Sequence, residues 1–260
     1  MRSAERTALV VATVVGVLVF CWPFLGGRAP SAASATAVGL GTAAALLVVE
    51  VLARRLDARA LALLAALSAI DAAARAVVIT GIAGFSPIFL LILCGGYVFG
   101  ASYGFLLGAV SILVSALVTG GLGPWLPYQL FAAGWVGAVA GLVGRRRTGR
   151  PTRRDVVALV VTGVVAGYGF GAAMDVWNWT FFQSAPGIGF HQGMPVVQAL
   201  EHFWRYYLAT SLTYDSFRAG GNAVMIGALG LPVLMALARL RGRFRTEIVE
   251  APALGLRAEG

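Results

Sequence analysis

The sequence contains no lysine and has few charged residues of any kind. Only 12% of its 260 residues are charged and 59% are hydrophobic, whereas soluble domains have about 25% charged and about 45–50% apolar residues. This shortage of charge excludes an ordinary soluble domain and indicates an integral membrane protein. The net charge of +9 does not indicate nucleic-acid binding, because the arginines lie in short clusters between apolar runs, as in membrane proteins.

Cysteine and histidine are also scarce, with two of each. Cys21 and Cys94 lie in apolar runs without metal-ligand spacing, so we expect each to act as a small hydrophobic side chain. His191 and His202, beside Glu201, match no known ligand spacing. The sequence also has no P-loop, HExxH or GxSxG motif. We therefore predict no metal site, no bound cofactor and no enzymatic activity, and ATP hydrolysis would require partner subunits.

Long apolar runs dominate the chain, and a membrane-crossing helix needs roughly 20 such residues. The first run is longer than a signal-peptide core and a second follows closely, so we interpret it as a retained helix. Together the runs predict about eight spans: Thr7–Leu25, Ala33–Ala53, Ala60–Ile82, Pro87–Phe99, Tyr103–Thr119, Tyr128–Val143, Val156–Trp177 and Tyr206–Leu237.

The positions of the arginines predict the orientation of these spans. With the N-terminus in the cytoplasm, the arginine-containing segments 2–6, 54–59, 145–154 and 239–245 all face the cytoplasm. Only Arg28 and Arg205 then face the outside among the loop arginines. This is the positive-inside distribution, so we predict that both termini lie in the cytoplasm.

Ionisable side chains inside spans are costly and mark candidate functional sites. Asp71 and Arg75 are four residues apart and Asp215 and Arg218 three apart, so each pair shares a helical face. Two interpretations stay open: ion pairs that only fix helix packing, or the lining of a polar cavity open to the outside. Asp175, at the outer end of the seventh run, has no partner in its own helix, which favours a site there.

Aromatic and amide side chains are concentrated at the predicted outer junctions. Such residues ordinarily form an anchoring belt at the membrane surface, but their accumulation near Asp175 also suits a covered pocket for a flat organic ligand with polar edges. Together with the ionisable residues they give the predicted ligand-binding set: Asp71, Arg75, Trp125, Tyr128, Gln129, Asp175, Trp177, Asn178, Trp179, Asp215, Arg218 and Asn222.

Residues 57–241 resemble the substrate-binding S component of energy-coupling factor (ECF) vitamin transporters of the actinobacterial kind. The resemblance rests on the alanine-rich segment 61–67, segments 85–90, 96–100 and 104–109, and above all the Gly-Pro-Trp-Leu-Pro turn at 123–127. It implies an all-α polytopic membrane protein with a six-helix core at residues 57–241. Two extra spans (residues 1–56) precede this core here, and we expect residues 242–260 to form a disordered tail.

The resemblance also implies a function. Such a protein binds a vitamin or its precursor at the outer face of the bacterial cell membrane, and its partners are a membrane coupling subunit and two ATPase subunits. The many outer tryptophans favour cobalamin or a related corrinoid, with thiamine or its pyrimidine precursor as the other candidates. The family's AxxxA motif, which meets the coupling subunit, maps to Ala58, Ala62 and Ala66 or to the overlapping pair Ala65 and Ala69, while Ala8 and Ala12 form the same pattern.

Two other functions stay open on the residues alone. The first is a membrane enzyme acting on a lipid-linked substrate, with Asp71, Asp175 and Asp215 as its carboxylates, although no DDxxD motif is present. The second is a structural subunit of another membrane complex, in which the ion pairs serve packing only.

Overall fold

The computed structural model describes residues 2–26, 31–52, 58–77, 87–145, 147 and 149–244. Within these residues the protein is all-helical, as predicted. The boundary at residues 56 and 57 lies outside the described residues, as does the predicted tail beyond residue 244. The helices are α1 (Arg2–Cys21), α2 (Ala32–Leu52), α3 (Ala58–Val77), α4 (Ile88–Phe99), α5 (Ala101–Thr119), α6 (Leu126–Gly144), α7 (Arg153–Trp179), α8 (Val196–Thr210) and α9 (Leu212–Phe244).

Within the described part of the chain, four helices are long and apolar enough to cross a membrane: α5, α6, α7 and α9. Shorter apolar helical segments run over Arg6–Cys21, Ala33–Val48 and Ile88–Phe99. A chain with so many apolar helices in succession is a polytopic membrane protein, because each helix satisfies its own backbone hydrogen bonds within the bilayer.

Short turns connect α4, α5 and α6. Gly100 closes the first turn with a φ of 106° and Gly120 ends α5 in the left-handed region with a φ of 67°, a conformation that glycine adopts without steric cost. Pro127 then lies in the first turn of α6. Backbone N–H groups in the first turn have no acceptor within the helix, so a proline there costs no helical hydrogen bond. The Gly-Pro-Trp-Leu-Pro segment is therefore a rigid entry to α6.

Glycine lets α4, α5 and α6 pack backbone against backbone. A Cβ atom added at Gly137 of α6 would collide with the backbone carbonyl of Gly104 on α5, and one at Gly96 of α4 would collide with that of Gly137. Small residues permit such close approach in lipid, where van der Waals packing between helices replaces the hydrophobic effect.

Segment 178–205 differs from the prediction of a long non-spanning loop followed by a span from Tyr206. The structure forms a separate helix there, α8, and α9 begins only at Leu212. Ala199, Phe203 and Tyr206 are buried on one side of α8, while Glu201 and Arg205 are exposed on the other. These charged residues lower the mean hydropathy of the segment, so a search for apolar runs does not detect an amphipathic surface helix.

Candidate functional site

A cavity of about 570 Å³ lies where α6, α7, α8 and α9 meet. Its volume falls within the range of about 300–1,000 Å³ that is typical of small-molecule sites. The lining residues come from the ends of these helices and the turn before α6: Trp125, Gln129, Phe170, Gly171, Met174, Asp175, Trp177, Asn178, Tyr206, Thr210, Ser211, Tyr214, Asp215 and Arg218.

The cavity is remote from the arginine-rich end of the molecule. Arg153 and Arg154 stand at the start of α7, and Asp175 lies near its other end, which at 1.5 Å per residue is about 30 Å away. Arg241 and Arg243 likewise stand at the end of α9 opposite to Asp215. The positive-inside rule therefore predicts that the cavity lies on the outer side of the membrane.

Two carboxylates form the polar part of the cavity. Asp175 is 6% exposed and Asp215 is 1% exposed. Asp215 forms the ion pair with Arg218 that the sequence spacing predicts, and it lies directly against Gly171 of α7, where any side chain would displace it. The Oδ2 atom of each aspartate has no hydrogen-bond partner among the described residues. Buried polar atoms in native proteins are normally paired, so these two unpaired oxygens make the wall of the cavity an unusually polar, acidic centre.

Aromatic rings surround this polar centre. The guanidinium of Arg218 lies 5.5 Å from the ring centroid of Phe170 and 5.1 Å from that of Tyr214. Trp125 and Trp177 meet edge to face with ring centroids 5.9 Å apart. The indole N–H of Trp125 donates to the carbonyl of Gly121 at 3.2 Å, which fixes this ring within its turn. The walls of the cavity thus offer flat apolar surfaces beside the carboxylates.

Tyr206 contributes a hydroxyl from α8. Burial, together with the negative charge of Asp175, raises the pKa of this phenol above its ordinary value. The hydroxyl is therefore protonated at physiological pH and available as a hydrogen-bond donor.

An outer cap, residues 180–210, contributes Tyr206 and Thr210 to the cavity lining and has a small core of its own. Trp179, at the end of α7, is fully buried in that core and its ring contacts Phe190 and Phe203 at centroid distances of 5.1 and 5.6 Å. Its indole N–H donates to the carbonyl of Ile188 at 2.7 Å. The Nδ1 atom of His202 lies 2.9 Å from the carbonyl oxygen of Gly189, so this histidine also holds the cap together.

Seven of the twelve predicted ligand-binding residues line the cavity: Trp125, Gln129, Asp175, Trp177, Asn178, Asp215 and Arg218. Three others lie behind the lining. Tyr128 accepts a hydrogen bond from Trp22, Trp179 is in the core of the cap, and Asn222 donates to the carbonyl of Gly163 at 2.9 Å.

Sequence reasoning missed the lining residues Phe170, Gly171, Met174, Tyr206, Thr210, Ser211 and Tyr214. Except for Ser211, these lie on helix faces that no local pattern identifies as inward.

Asp71 and Arg75 belong to a different cluster, between α3 and α5. Asp71 is 1% exposed and accepts a hydrogen bond of 2.9 Å from Ser111. Arg75 does not pair with it, and its Nη1 atom has no hydrogen-bond partner in the described part of the chain. The ion pair that the spacing allows is therefore not formed, because Asp71 faces α5 and meets a hydroxyl there. Asp71 also does not join Asp175 and Asp215, so the three aspartates do not form one catalytic centre.

Exposed alanines form a stripe along α3. Ala58, Ala62, Ala65, Ala66 and Ala69 are all exposed. Ala12 of α1, by contrast, is 1% exposed and lines a groove against α2. Compared with Ala8 and Ala12 of α1, the AxxxA alanines of α3 therefore present the more accessible small-residue surface to a partner.

No group of three or more His, Cys, Asp or Glu side chains within the described residues is arranged to hold a metal ion.

Among known proteins, the family model described as "ECF transporter, substrate-specific component" matches residues 59–229, which is about two thirds of the chain. Neither the curated proteins nor the solved structures yield a match.

Proposed function

Because the chain belongs to the family of substrate-specific components of ECF transporters, we propose that it binds a vitamin-type molecule in the outer cavity and delivers it through a coupling subunit driven by two ATPase subunits. The observation that carries this proposal is the cavity itself. It combines two buried carboxylates, each with an unpaired oxygen, and a wall of aromatic rings at the outer side of a membrane protein. The membrane would be the plasma membrane of a bacterium.

The size of the cavity bears on the choice of ligand. About 570 Å³ suits a molecule with one or two rings, such as thiamine or its pyrimidine precursor. A corrinoid, which the tryptophan content favours, is far larger than the ligands that such cavities enclose. Its binding would require the outer cap to move away from α6 and α9. Both ligand classes therefore belong in the experiment.

A binding panel tests the proposal directly. The purified full chain in lipid nanodiscs would be titrated by calorimetry with thiamine, its pyrimidine precursor, cyanocobalamin, riboflavin, biotin and pantothenate. We expect one of these to bind with a Kd below about 1 μM, equivalent to about −8 kcal/mol. Absence of heat for every compound at high micromolar concentration would contradict a vitamin-binding function.

The alanine stripe on α3 is the surface that we propose for the coupling subunit. Replacing Ala62 and Ala66 together with leucine is expected to reduce transport at least tenfold in proteoliposomes that contain the coupling and ATPase subunits. The bulky side chains would hold apart two helices that small residues allow to approach closely. Ligand affinity should stay unchanged, because neither residue lines the cavity.

The matched control is Ala228→Leu, an equally exposed alanine on α9. This variant should transport at the rate of the unaltered protein. Equal transport rates for the α3 double variant and the α9 control would exclude the α3 stripe as the coupling surface.

A further inference from the structure

We propose that the cavity selects ligands with a single positive charge on or beside an aromatic ring, and that Asp175 receives this charge. The inference rests on the proposed function and concerns the chemistry of the same cavity. Its basis is the count of formal charges among the lining residues, which are Asp175, Asp215 and Arg218. Because Arg218 pairs with Asp215, one negative charge is left without a cationic partner in the described part of the chain.

Asp175 carries that remaining charge. It is 6% exposed, and its hydrogen-bonding neighbours, Ser211 and Asn178, are uncharged. The charges of Asp215 and Arg218 also act on it, with opposite signs, and Arg218 forms its ion pair with Asp215. A buried charge is costly unless a counter-ion and hydrogen-bond donors accompany it. A bound cation in the cavity that Asp175 lines would supply the counter-ion.

Arg218 is poorly placed to receive an anionic ligand. Its guanidinium already pairs with Asp215 and is flanked by the rings of Phe170 and Tyr214 at 5.5 and 5.1 Å. A ligand carboxylate would have to break the Asp215 pair, and it would then face two buried aspartates. The site therefore disfavours anionic vitamins by like-charge repulsion.

Trp125 and Trp177 can contact the aromatic part of the ligand. Both line the cavity, and a cationic ring gains additional attraction from the negative face of an indole. Gln129 and Asn178 supply amide groups that can pair with ring heteroatoms. Together these groups describe a site for a monocationic heteroaromatic molecule.

The experiment compares Asp175→Asn with the unaltered protein, using thiamine as the monocationic probe and riboflavin, biotin and pantothenate as neutral and anionic probes. We expect thiamine to bind most tightly and Asp175→Asn to weaken its binding by 10-fold to 100-fold. Asparagine keeps the shape of the side chain, and the midpoint of thermal unfolding would verify folding. Asp175→Glu, which keeps the charge, should retain more of the affinity than Asp175→Asn.

Three results would overturn the inference in distinguishable ways. Tightest binding of riboflavin, cyanocobalamin or an anionic vitamin would contradict the charge selectivity and leave the proposed function intact. Equal thiamine affinity of the unaltered protein and Asp175→Asn would show that Asp175 does not bind the positive charge of the ligand. Failure of every compound to bind would overturn the inference together with the proposed function.

A separate set of contacts concerns the N-terminal extension, which lies outside the family match at residues 59–229. We infer that the turn after α1, residues 22–26, holds the outer cap in place beside the cavity. Phe24 stacks on Trp179 with ring centroids 5.9 Å apart and meets Phe203 at 5.6 Å. Trp22 contacts Phe190 at 5.7 Å, and its indole N–H donates to the hydroxyl of Tyr128 at 3.2 Å.

These contacts join three parts of the molecule. Phe190 and Phe203 belong to the cap, and Trp179 is at the end of α7. Tyr128, on α6, lies behind the cavity wall, 6.3 Å from the ring of Trp177. Aromatic pairs of this kind stabilise beyond the area that they bury, so the extension supports the cap without lining the cavity.

The test is the double substitution Trp22→Ala and Phe24→Ala in the full chain, with Leu18→Ala, an exposed position on α1, as the control. Amide hydrogen exchange in residues 188–206 should become at least tenfold faster in the double variant and stay unchanged in the control. Trp22→Phe, which keeps a ring but loses the bond to Tyr128, should show an intermediate rate. Unchanged exchange in the double variant would overturn the inference, whichever ligand the protein binds.

Discussion

Replacing Trp179 with alanine is expected to open the outer cap and weaken ligand binding by 10-fold to 100-fold. The side chain is fully buried among Phe190, Phe203 and Phe24, and removing a buried tryptophan costs about 3–5 kcal/mol. Because the cap has a core separate from that of the helix bundle, most of this loss should appear as local opening of the cap.

Calorimetry with whichever panel compound binds would measure the affinity, and hydrogen exchange in residues 180–210 would measure the opening. Trp204→Ala is the control, because Trp204 is 52% exposed on the same cap and should tolerate the change. Trp179→Phe keeps a ring but loses the hydrogen bond to Ile188, so its effect should be smaller. An affinity equal to that of the unaltered protein in Trp179→Ala would show that the closed cap does not contribute to binding.

Replacing Gly137 with alanine is expected to destabilise the bundle of α4, α5 and α6 by about 1–3 kcal/mol or more. The added methyl group would meet backbone atoms of Gly104, and backbone cannot rotate away as a flexible side chain can. Helices α5 and α6 would have to separate, which would break the close contacts on which helix association in lipid depends. Thermal unfolding in detergent should show a clearly lower midpoint.

Gly227→Ala provides the comparison for this prediction. Gly227 is also a helical glycine, but a Cβ atom at that position would have no neighbour within 4 Å. Alanine favours a helix over glycine by about 1 kcal/mol, so this variant should be neutral or slightly stabilised. Equal unfolding midpoints for the two variants would mean that the α5–α6 contact does not limit the stability of the bundle.

The candidate site was predictable in part, and the reasons differ between residues. Asp175 and Asp215 are detectable because a carboxylate in an apolar run is costly whichever face of the helix carries it. Trp179 was expected in the binding site because it lies beside Trp177 in the chain. Positions two apart on a helix point to nearly opposite faces, so Trp179 is buried in the core of the cap while Trp177 lines the cavity.

Local composition by itself determined that this protein is an all-helical membrane protein, since apolar length and arginine distribution are properties of the chain. It also determined which pairs of residues can meet within one helix, such as Asp215 and Arg218. Only the tertiary structure decided which helix faces turn inward. The packing of α3 on α5 directs Asp71 to Ser111 instead of Arg75. The turn after α1 packs on the cap and on the end of α7, which brings Trp22 and Phe24 to residues more than 150 positions away. Such choices depend on the shape and polarity of neighbouring elements, which a pattern within one segment does not contain.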